Sequence, residues 1–271
     1  MKIAITGSTG FLGSYLVREL KNKNTDFIVL DKEKHDLFDV DSLQSFVENA
    51  DIICHLAGVA KKSPEVLLRT NTLGTINLLK AIKKFNKRAY CKFIFASSRH
   101  VYPMRNVYAY SKKIAEEFIE LQSSEGIKGI VLRFSNVYGP NCKPFLNSII
   151  ATLVFQTGSG QVLTINGDGN QKRDYVFVAD AVHALVDAIK YIPRKNYEVF
   201  DICAGKLTSL NEIIAVLERI RGKKIGVAYN DKKENENWDL PLNNNAEKAF
   251  GWTPKVSLEE GLGLTMASNE K

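Results

Sequence analysis

Residues 1–13 read Met-Lys-Ile-Ala-Ile-Thr-Gly-Ser-Thr-Gly-Phe-Leu-Gly, and this stretch decides the fold of the chain. The apolar run Ile3–Ile5 is too short for a helix and ends at a glycine turn, which predicts a buried strand. Gly7, Gly10 and Gly13 follow at regular spacing. Apolar residues then recur at helical spacing, and they are Phe11, Leu12, Tyr15, Leu16 and Leu20. The stretch therefore predicts a strand, a tight glycine turn and an amphipathic helix.

This strand-turn-helix arrangement is typical of a binding site for phosphate groups. We expect Gly7 to turn the chain with a positive φ, Gly10 to let a pyrophosphate approach the backbone, and Gly13 to let the helix pack closely on the strand. The N-terminus of the helix would add its N–H groups and the positive end of its dipole. A glycine-rich turn without a ligand is the alternative, and the flanking strand and helix disfavour it.

The composition is that of a globular protein with one large domain or two modest ones: 271 residues, 45% hydrophobic and 25% charged. Four scattered cysteines predict neither a disulfide framework nor a metal site and fit a cytoplasmic protein. No apolar run could span a membrane, and Met1 and Lys2 lead directly into the first strand, so we expect no signal peptide. The formal charge of +7 favours an anionic small substrate, and the basic cluster 83–88 is interpreted as a solvated helix surface rather than a nucleic-acid face.

Strands and helices alternate after the first helix. Strands are predicted at 26–30, at 34–37 (short), at 51–57 and at 91–96. Helices are predicted to begin at Asp41 and Asn71. This order predicts an α/β fold with a doubly wound parallel sheet of the Rossmann type. Ligands of such sheets bind beyond the carboxyl ends of the strands, where the glycine turn, Asp31, Gly58 and Ser98 all fall.

Asp31 ends the second predicted strand. It lies near the spacing from the glycine turn at which an acidic residue binds the ribose hydroxyls of a dinucleotide. Lys32 follows directly and would favour a ribose 2′-phosphate instead. The sequence therefore predicts NAD or NADP as the cofactor, with NAD slightly preferred. Capping of a turn is the alternative role of Asp31.

Tyr108 and Lys112 lie four residues apart at the start of another predicted helix, so they share one face. A phenol, with an ordinary pKa of about 10, needs nearby positive charge to act as an acid or base at neutral pH. Lys112 supplies an ammonium, and the hydroxyl of Ser98 would hold a substrate oxygen. A surface ion pair with Glu116 is the alternative for Lys112. His55, inside an apolar strand, is interpreted as a packed core residue.

These residues resemble the extended short-chain dehydrogenase/reductase family, in the epimerase/dehydratase branch that works on nucleotide sugars. Its motifs run from one end of the chain to the other: TGSTGFLG at 6–13, HLAG at 55–58, NTLGTINLL at 71–79, SSRHVY at 97–102, Tyr108 with Lys112, LRFSNVYGP at 132–140, GDGNQKRDYVFVAD at 167–180 and GWTP at 251–254. Together these motifs are highly specific.

The resemblance implies a role for each matching residue. Tyr108 would be the catalytic acid/base, Lys112 would bind the nicotinamide ribose and Ser98 would bind the reacting oxygen. With the residues named above, the cofactor site would comprise Gly7, Thr9, Gly10, Phe11, Leu12, Gly13, Asp31, Lys32, Asp36, Leu37, Leu56, Ala57, Gly58, Tyr108, Lys112, Phe134 and Ser135. The substrate site would comprise Ser98, Asn136, Asn147 and Arg173, with no metal ligand.

The resemblance also implies a dinucleotide-binding domain at 1–140 and 174–195, and a smaller discontinuous substrate domain at 141–173 and 196–271. The polar stretch 230–245 is expected to form a surface loop at the substrate mouth. A homodimer is implied, in which the helices from Asn71 and from Tyr108 pair across a twofold axis. Apolar residues expected beyond one core stripe are Leu78, Ile82, Ile114, Phe118 and Leu121, and filling of one core is the alternative.

Departures from the family pattern bear on the reaction. Arg99 and His100 replace the acidic pair of dehydratases, which disfavours dehydration. Only Lys232 and Lys233 stand where an arginine usually grips the second phosphate. The short segment between Val101 and Tyr108 resembles reductases of 4-keto-6-deoxy nucleotide sugars that serve polysaccharide synthesis. We therefore expect an NAD(P)-dependent oxidoreductase that reduces the C4 keto group of a nucleotide sugar. A nucleotide-sugar 4-epimerase and a non-catalytic dinucleotide sensor are the alternatives.

Overall fold

The glycine-rich first turn has the predicted form in the computed structural model, which describes residues 1–123, 126–146, 148–231, 243 and 245–269. The backbone of Gly7 has a φ of 69°. A Cβ atom on Gly7 would lie 2.5 Å from the backbone nitrogen of Ala57, and one on Gly13 would overlap the carbonyl oxygen of Gly7. Glycine is therefore required at both positions.

The secondary structure follows the alternating pattern. The strands are β1 (Ile3–Thr6), β2 (Phe27–Val29), β3 (Ile52–His55), β4 (Cys91–Ser98), β5 (Ile127–Phe134), β6 (Asn136–Tyr138), β7 (Leu163–Asn166), β8 (Lys172–Phe177), β9 (Tyr197–Ile202), β10 (Leu207–Ser209) and β11 (Val227–Asn230). The α-helices are α1 (Phe11–Asn22), α2 (Gln44–Val47), α3 (Pro64–Leu67), α4 (Gly74–Phe85), α5 (Val107–Ser123), α6 (Ile149–Gly158), α7 (Val178–Lys190), α8 (Leu210–Arg221), α9 (Asn245–Phe250) and α10 (Leu258–Asn269). A π-helical turn at Leu68–Leu73 joins α3 to α4.

The large sheet has six strands in the order β2-β1-β3-β4-β5-β9, and every neighbouring pair is parallel. The chain leaves β1 for β2 on one side and then crosses to β3 on the other. The carboxyl ends of β1 and β3 therefore form a topological switch point, where ligands of such sheets bind. The predicted doubly wound parallel sheet is confirmed.

The expected short strand at 34–37 is wrong, because these residues form turns beyond the end of β2. Their backbone groups bond locally instead of joining a ladder. The N–H of His35 donates to the carbonyl of Asp31 at 2.8 Å, and the N–H of Asp36 donates to the hydroxyl of Ser42 at 2.9 Å. The large sheet therefore ends at β2.

Helices cover both faces of the large sheet, and each face has its own core. One core packs α1 and α7 against the sheet, with Leu16, Ile94 and Leu185 buried in it. The opposite core packs α2, α4 and α5, with Phe46 and Leu79 in it. A third core lies among α6, α8 and α10 and two small sheets, of order β10-β8-β6 and β11-β7.

Two strands lie on the other side of the expected domain division. β9 comes from the stretch 196–271, yet it pairs with β5 in the large sheet. Val199 packs in one core of that sheet while Phe200 and Ile202 pack in the other, as in a parallel strand covered on both faces. β8 includes 174–177, yet it pairs with β6 and β10 in a small sheet. β8 and β9 thus pair across the expected boundaries, and the two-domain division stays a proposal.

The residues expected beyond the core stripe behave differently on the two helices. Leu78 and Ile82 of α4 are buried in the core, so that part of the expectation is wrong and the core-filling alternative holds for them. On α5, Ile114 is 37% exposed and Leu121 is 64% exposed, while Phe118 is partly buried. Of these five residues, Ile114 and Leu121 of α5 are the exposed ones. Among the described residues, no helix is long and apolar enough to cross a membrane.

Candidate functional site

A cleft of about 860 Å³ opens at the carboxyl ends of β1, β3 and β4. Its walls bring together most of the predicted site residues: Gly7, Gly10, Phe11, Leu12, Gly13, Leu56, Gly58, Ser98, Tyr108, Lys112, Phe134, Ser135, Asn136 and Arg173. Lys61, Ser148 and Thr164 also line it, and no motif in the sequence pointed to them. The cleft therefore brings the glycine turn together with Ser98, Tyr108 and Lys112.

The glycine turn fits a pyrophosphate. Gly10 stands at the N-cap of α1 in an extended conformation, and no side chain caps this helix end. The N–H of Gly10 bonds back to the carbonyl of Gly7 at 3.0 Å, which fixes the turn. The exposed N–H groups and the positive end of the helix dipole therefore face the cleft without competition from a capping side chain.

Tyr108 and Ser98 meet through their hydroxyl groups. A hydrogen bond joins the side chains, and Ser98 Oγ also accepts from the backbone N–H of His100 at 3.2 Å. Burial raises the pKa of Tyr108 above its usual value, and the bond from Ser98 opposes this effect only in part. The imidazole of His100 packs edge-on against the Tyr108 ring, with 5.8 Å between centroids. Tyr108 is therefore a neutral phenol at pH 7 in the chain alone.

Lys112 lies inside the same wall of the cleft, with 5% of its surface exposed. Its Nζ donates to the carbonyl of Ala96 at 2.9 Å and lies 4.6 Å from the centroid of the Phe95 ring. Burial lowers the pKa of Lys112 to about 8, although the charge of Glu116 opposes this. A Cβ on Gly58 would lie 3.1 Å from Nζ, so the loop after β3 runs directly beside the amine.

The alternative of a surface pair between Lys112 and Glu116 is excluded by burial. Glu116 is fully buried, and its carboxylate accepts two bonds from Arg133, at 2.5 and 3.0 Å. It also accepts from the hydroxyl of Ser97 at 2.5 Å. Glu116 thus anchors β4 and β5 beneath the site, while the amine of Lys112 stays at the cleft.

Asn71 holds two segments of the site together. It belongs to a family motif in the sequence, but the motif alone assigns it no role. Its side-chain amide donates to the carbonyl of Val59 at 2.8 Å and to Ser111 Oγ at 2.9 Å, and its Oδ1 accepts from the N–H of Val59 at 2.8 Å. It therefore ties the loop after β3 to α5, one residue before Lys112. Asn71 belongs to the π-helical turn, a distortion that often marks functional sites.

Asn136 and Arg173 also line the cleft. Asn136 Nδ2 donates to the carbonyl of Asp174 at 3.0 Å, which holds β6 to the start of β8. The Asp174 carboxylate accepts from the N–H groups of Ala204 and Lys206, at 2.9 and 3.2 Å. Arg173 thus projects from a well-anchored strand and suits an anionic group.

Several expected residues lie outside the cleft lining. They are Thr9, Asp31, Lys32, Asp36, Leu37 and Ala57. Asp31 follows the carboxyl end of β2 and accepts from the N–H of Glu33 at 3.0 Å, as in its alternative capping role. Its Oδ2 lies 3.5 Å from Lys34 Nζ. Asn147, Lys232, Lys233 and most of the polar stretch 230–245 lie outside the described residues.

Comparison with known proteins identifies the family of this chain. A model of the NAD dependent epimerase/dehydratase family matches residues 3–203. The chain belongs to that family. It is an enzyme of the extended short-chain dehydrogenase/reductase type, as the sequence motifs predict, and its relatives are UDP-sugar epimerases and decarboxylases.

Similar proteins align with it over most of their length. A UDP-glucuronate 4-epimerase of Thermodesulfobacterium geofontis is 29% identical over 85% of this chain and 76% of its own. The crystal structure of a UDP-glucose 4-epimerase of Thermotoga maritima with UDP-glucose has a TM-score of 0.88 at 28% identity, covering 100% and 99% of the two chains. The UDP-glucuronic acid 4-epimerase of Bacillus cereus, with UDP-glucuronic acid and NAD, has a TM-score of 0.84 at 25% identity, covering 100% and 99%.

The family comparison agrees with the expected nicotinamide dinucleotide, since solved relatives carry NAD and one carries NADPH. It favours the epimerase alternative over the keto-sugar reductase.

Proposed function

We propose that this chain is an NAD-dependent UDP-sugar 4-epimerase. The observation that carries the proposal is the meeting of Ser98, Tyr108 and Lys112 in one cleft with the glycine turn. The 4-epimerases named above support the choice of reaction, because this chain aligns with each of them along most of both sequences.

The volume of the cleft bears on the choice between an epimerase and a reductase. The short segment between Val101 and Tyr108 favours a reductase only if it leaves too little chain to enclose a rotating sugar. The cleft nevertheless has about 860 Å³ of space, and residues of α6 and β7 line it together with Asn106 and Val107 of that segment. Space for a keto sugar to turn over is therefore compatible with the short segment.

In the proposed mechanism Tyr108 accepts the proton of the sugar 4-hydroxyl, while Ser98 holds that oxygen. NAD, when bound, would supply the hydride acceptor for oxidation at C4 and the hydride for reduction of the same carbon. Lys112 binds the nicotinamide ribose and adds positive charge beside Tyr108. Tyr108 then returns its proton to the same oxygen when the new configuration forms.

The electrostatics of the chain explain why Tyr108 would act only in the loaded enzyme. Burial raises the pKa of Tyr108, so the phenol holds its proton until positive charge is placed beside it. Lys112 carries part of that charge, because a pKa of about 8 leaves its amine largely protonated at pH 7. A cationic nicotinamide ring would supply the remainder.

The remaining residues would divide along the cleft. Asn136, Asn147 and Arg173 would hold the diphosphate of the nucleotide sugar. Phe134 and Ser135 would lie beside the nicotinamide. Asp31 would bind the adenosine ribose, with Lys32, Asp36 and Leu37 near the adenine, because the carboxyl end of β2 adjoins the glycine turn. We therefore assign the cofactor as NAD rather than NADP.

The test is the fate of a label. Protein purified without added cofactor should carry NAD, and it should interconvert UDP-glucose with UDP-galactose, or UDP-glucuronate with UDP-galacturonate, with no net formation of NADH. The product should contain no deuterium when NADH deuterated on its transferable face is present. A reductase would instead deposit deuterium at C4 of a 4-keto sugar and consume one NADH per turnover, and that result would replace this proposal.

A further inference from the structure

His55 is the last residue of β3 and is fully buried, yet both of its ring nitrogens are hydrogen-bonded. Nδ1 lies 2.7 Å from Thr6 Oγ1, and Nε2 lies 3.0 Å from Thr75 Oγ1. Thr6 ends the strand that enters the glycine turn, and Thr75 lies in the first turn of α4. His55 therefore connects two elements that flank the cofactor half of the cleft.

The neighbouring bonds fix the direction of each contact. The hydroxyl of Thr75 donates its proton to the carbonyl of Asn71 at 2.7 Å, so its oxygen accepts from His55 and Nε2 carries a hydrogen. Nδ1 is then an acceptor, and the hydroxyl of Thr6 donates to it. Thr6 Oγ1 in turn accepts from the N–H of Ala57 at 3.2 Å. The chain of bonds is complete only for the neutral Nε2–H tautomer.

Both ends of this chain of bonds reach the loop after β3. At one end lies the N–H of Ala57 in that loop. At the other end lies Asn71, whose side chain makes two bonds with Val59 and one with Ser111. Leu56, Gly58 and Val59 of the loop line the cleft, with Gly58 beside the amine of Lys112. The loop is thus bonded at Ala57 to Thr6 and at Val59 to Asn71, and His55 connects these two partners through Thr75.

The ring also shares an aromatic floor with Lys112. His55 stacks on Phe95 at 5.8 Å between centroids, and Lys112 Nζ lies 4.6 Å from the same ring. Burial and then the charge of Lys112 lower the pKa of His55 to about 3. His55 is therefore neutral at pH 7 and places no second positive charge near the ammonium group of Lys112.

We infer that His55 is a positioning residue, held as the Nε2–H tautomer between Thr6 and Thr75, which fixes the loop 56–59 against the bound dinucleotide. The identity of that ligand as NAD rests on the proposed function, whereas the tautomer and the bonds do not. The sequence interpretation of His55 as a packed core residue describes its burial and omits this role.

The first test needs no cofactor. Two-bond ¹H–¹⁵N spectra of the ¹⁵N-histidine-labelled chain should show His55 as the Nε2–H tautomer with shifts constant from pH 5.5 to 9. A His55→Phe sample assigns the signal. An Nδ1–H tautomer, or titration of the ring in that range, would overturn the inference.

The second test separates positioning from stability with matched variants. Thr75→Val removes the hydroxyl between His55 and Asn71, while Thr265→Val removes an equally buried helix hydroxyl that donates to the carbonyl of Gly261 at 2.6 Å. Both should lower the urea midpoint, Thr75→Val by more because it also leaves His55 Nε2–H without its acceptor, but only Thr75→Val should raise the Kd for NAD, by about tenfold. Equal Kd values for the two variants would overturn the inference. Absence of NAD binding by the unmodified chain would contradict the proposed function instead.

The third test uses the ring itself. His55→Phe keeps the aromatic packing and loses both bonds, so NAD should bind at least tenfold more weakly. His55→Gln offers one amide acceptor and one amide donor and should recover part of that loss. If Phe binds NAD as tightly as His, or if Gln is no better than Phe, then His55 acts by packing alone.

Discussion

Replacement of Tyr108 by phenylalanine isolates the chemistry that we assign to this site. The substitution removes one oxygen, whose hydrogen-bond partner in the chain is Ser98. Ser98 keeps the bond that it accepts from the N–H of His100 at 3.2 Å, so its hydroxyl is not left without a partner. A net loss of about 0–1 kcal/mol of unfolding free energy follows, which lowers Tm by no more than about 4 °C.

The expected effect on rate is far larger than the effect on stability. Loss of a general acid/base costs roughly a hundredfold to ten-thousandfold in turnover, or about 3–5 kcal/mol of barrier. Turnover is measured with UDP-glucose and UDP-glucuronate, and the Kd for NAD and the urea midpoint are measured on the same samples. The Kd for NAD should change less than about threefold, because Lys112 and the glycine turn are untouched.

Tyr110→Phe is the matched control, since it makes the same change two residues along α5 on a side chain that is 50% exposed. Its turnover should equal that of the unmodified chain. Turnover by Tyr108→Phe within about tenfold of the unmodified chain, or an equal loss in both variants, would refute the assignment of Tyr108.

Four further predictions follow from burial, charge and backbone geometry. Burial lowers the pKa of Lys112 from its usual value of 10.5 to about 8. Between these pH values the unfolded chain keeps a proton that the folded chain loses, so the free energy of unfolding rises with pH. Lys112→Met should remove about 3 kcal/mol of that rise in urea titrations at pH 7 and 10.5, and parallel pH profiles of the two proteins would contradict this. Asp31→Ala should shift the ratio of Kd values toward NADP(H), and an unchanged ratio in fluorescence titrations removes Asp31 from the ribose site. Gly13→Ala should abolish NAD binding because its Cβ would overlap Gly7, whereas Gly263→Ala, with open space around it, should bind NAD normally in calorimetry. Equal NAD binding by the two variants would contradict the assignment of the glycine turn as the pyrophosphate site. The apolar surface of α5, with Ile114 and Leu121 exposed, should make the chain a homodimer in light scattering, and a monomer mass would exclude this.

The sequence predicts those parts of the fold that local pattern determines. Ile3–Ile5 with the glycine turn specify β1 and α1 because a short apolar run and a required positive φ leave few other structures. The sequence pattern fails where competing side-chain bonds decide the structure, as at 34–37, where the expected strand does not form. Side chains such as Ser42 satisfy its backbone locally, and no residue periodicity reports that competition. The partner of β9 is likewise set by contacts far away in the chain.

For the site, spacing predicts which residues share a face but not which of them bond. The spacing of Lys112 and Glu116 permits an ion pair, and only burial shows that Glu116 belongs to Arg133. The contacts of Asn71 with Val59 and Ser111 join three separate segments, so no single stretch of sequence could reveal them. The interpretation of His55 as a packed core residue omits its bonds for the same reason, because Thr6 and Thr75 belong to other elements of the fold.

The adjacent serines at the end of β4 have identical side chains but different hydrogen-bond partners. The hydroxyl of Ser97 is committed to Glu116 at 2.5 Å, and that of Ser98 to Tyr108. Neighbouring residues of a strand point to opposite faces, so neither serine can stand in for the other. A slip of β4 by one residue would place Ala96 at the Ser97 position or Arg99 at the Ser98 position, so it would lose either the bond to Glu116 or the bond to Tyr108. The two bonds therefore favour a single register of β4, and the second serine does not compensate for a shift of the first.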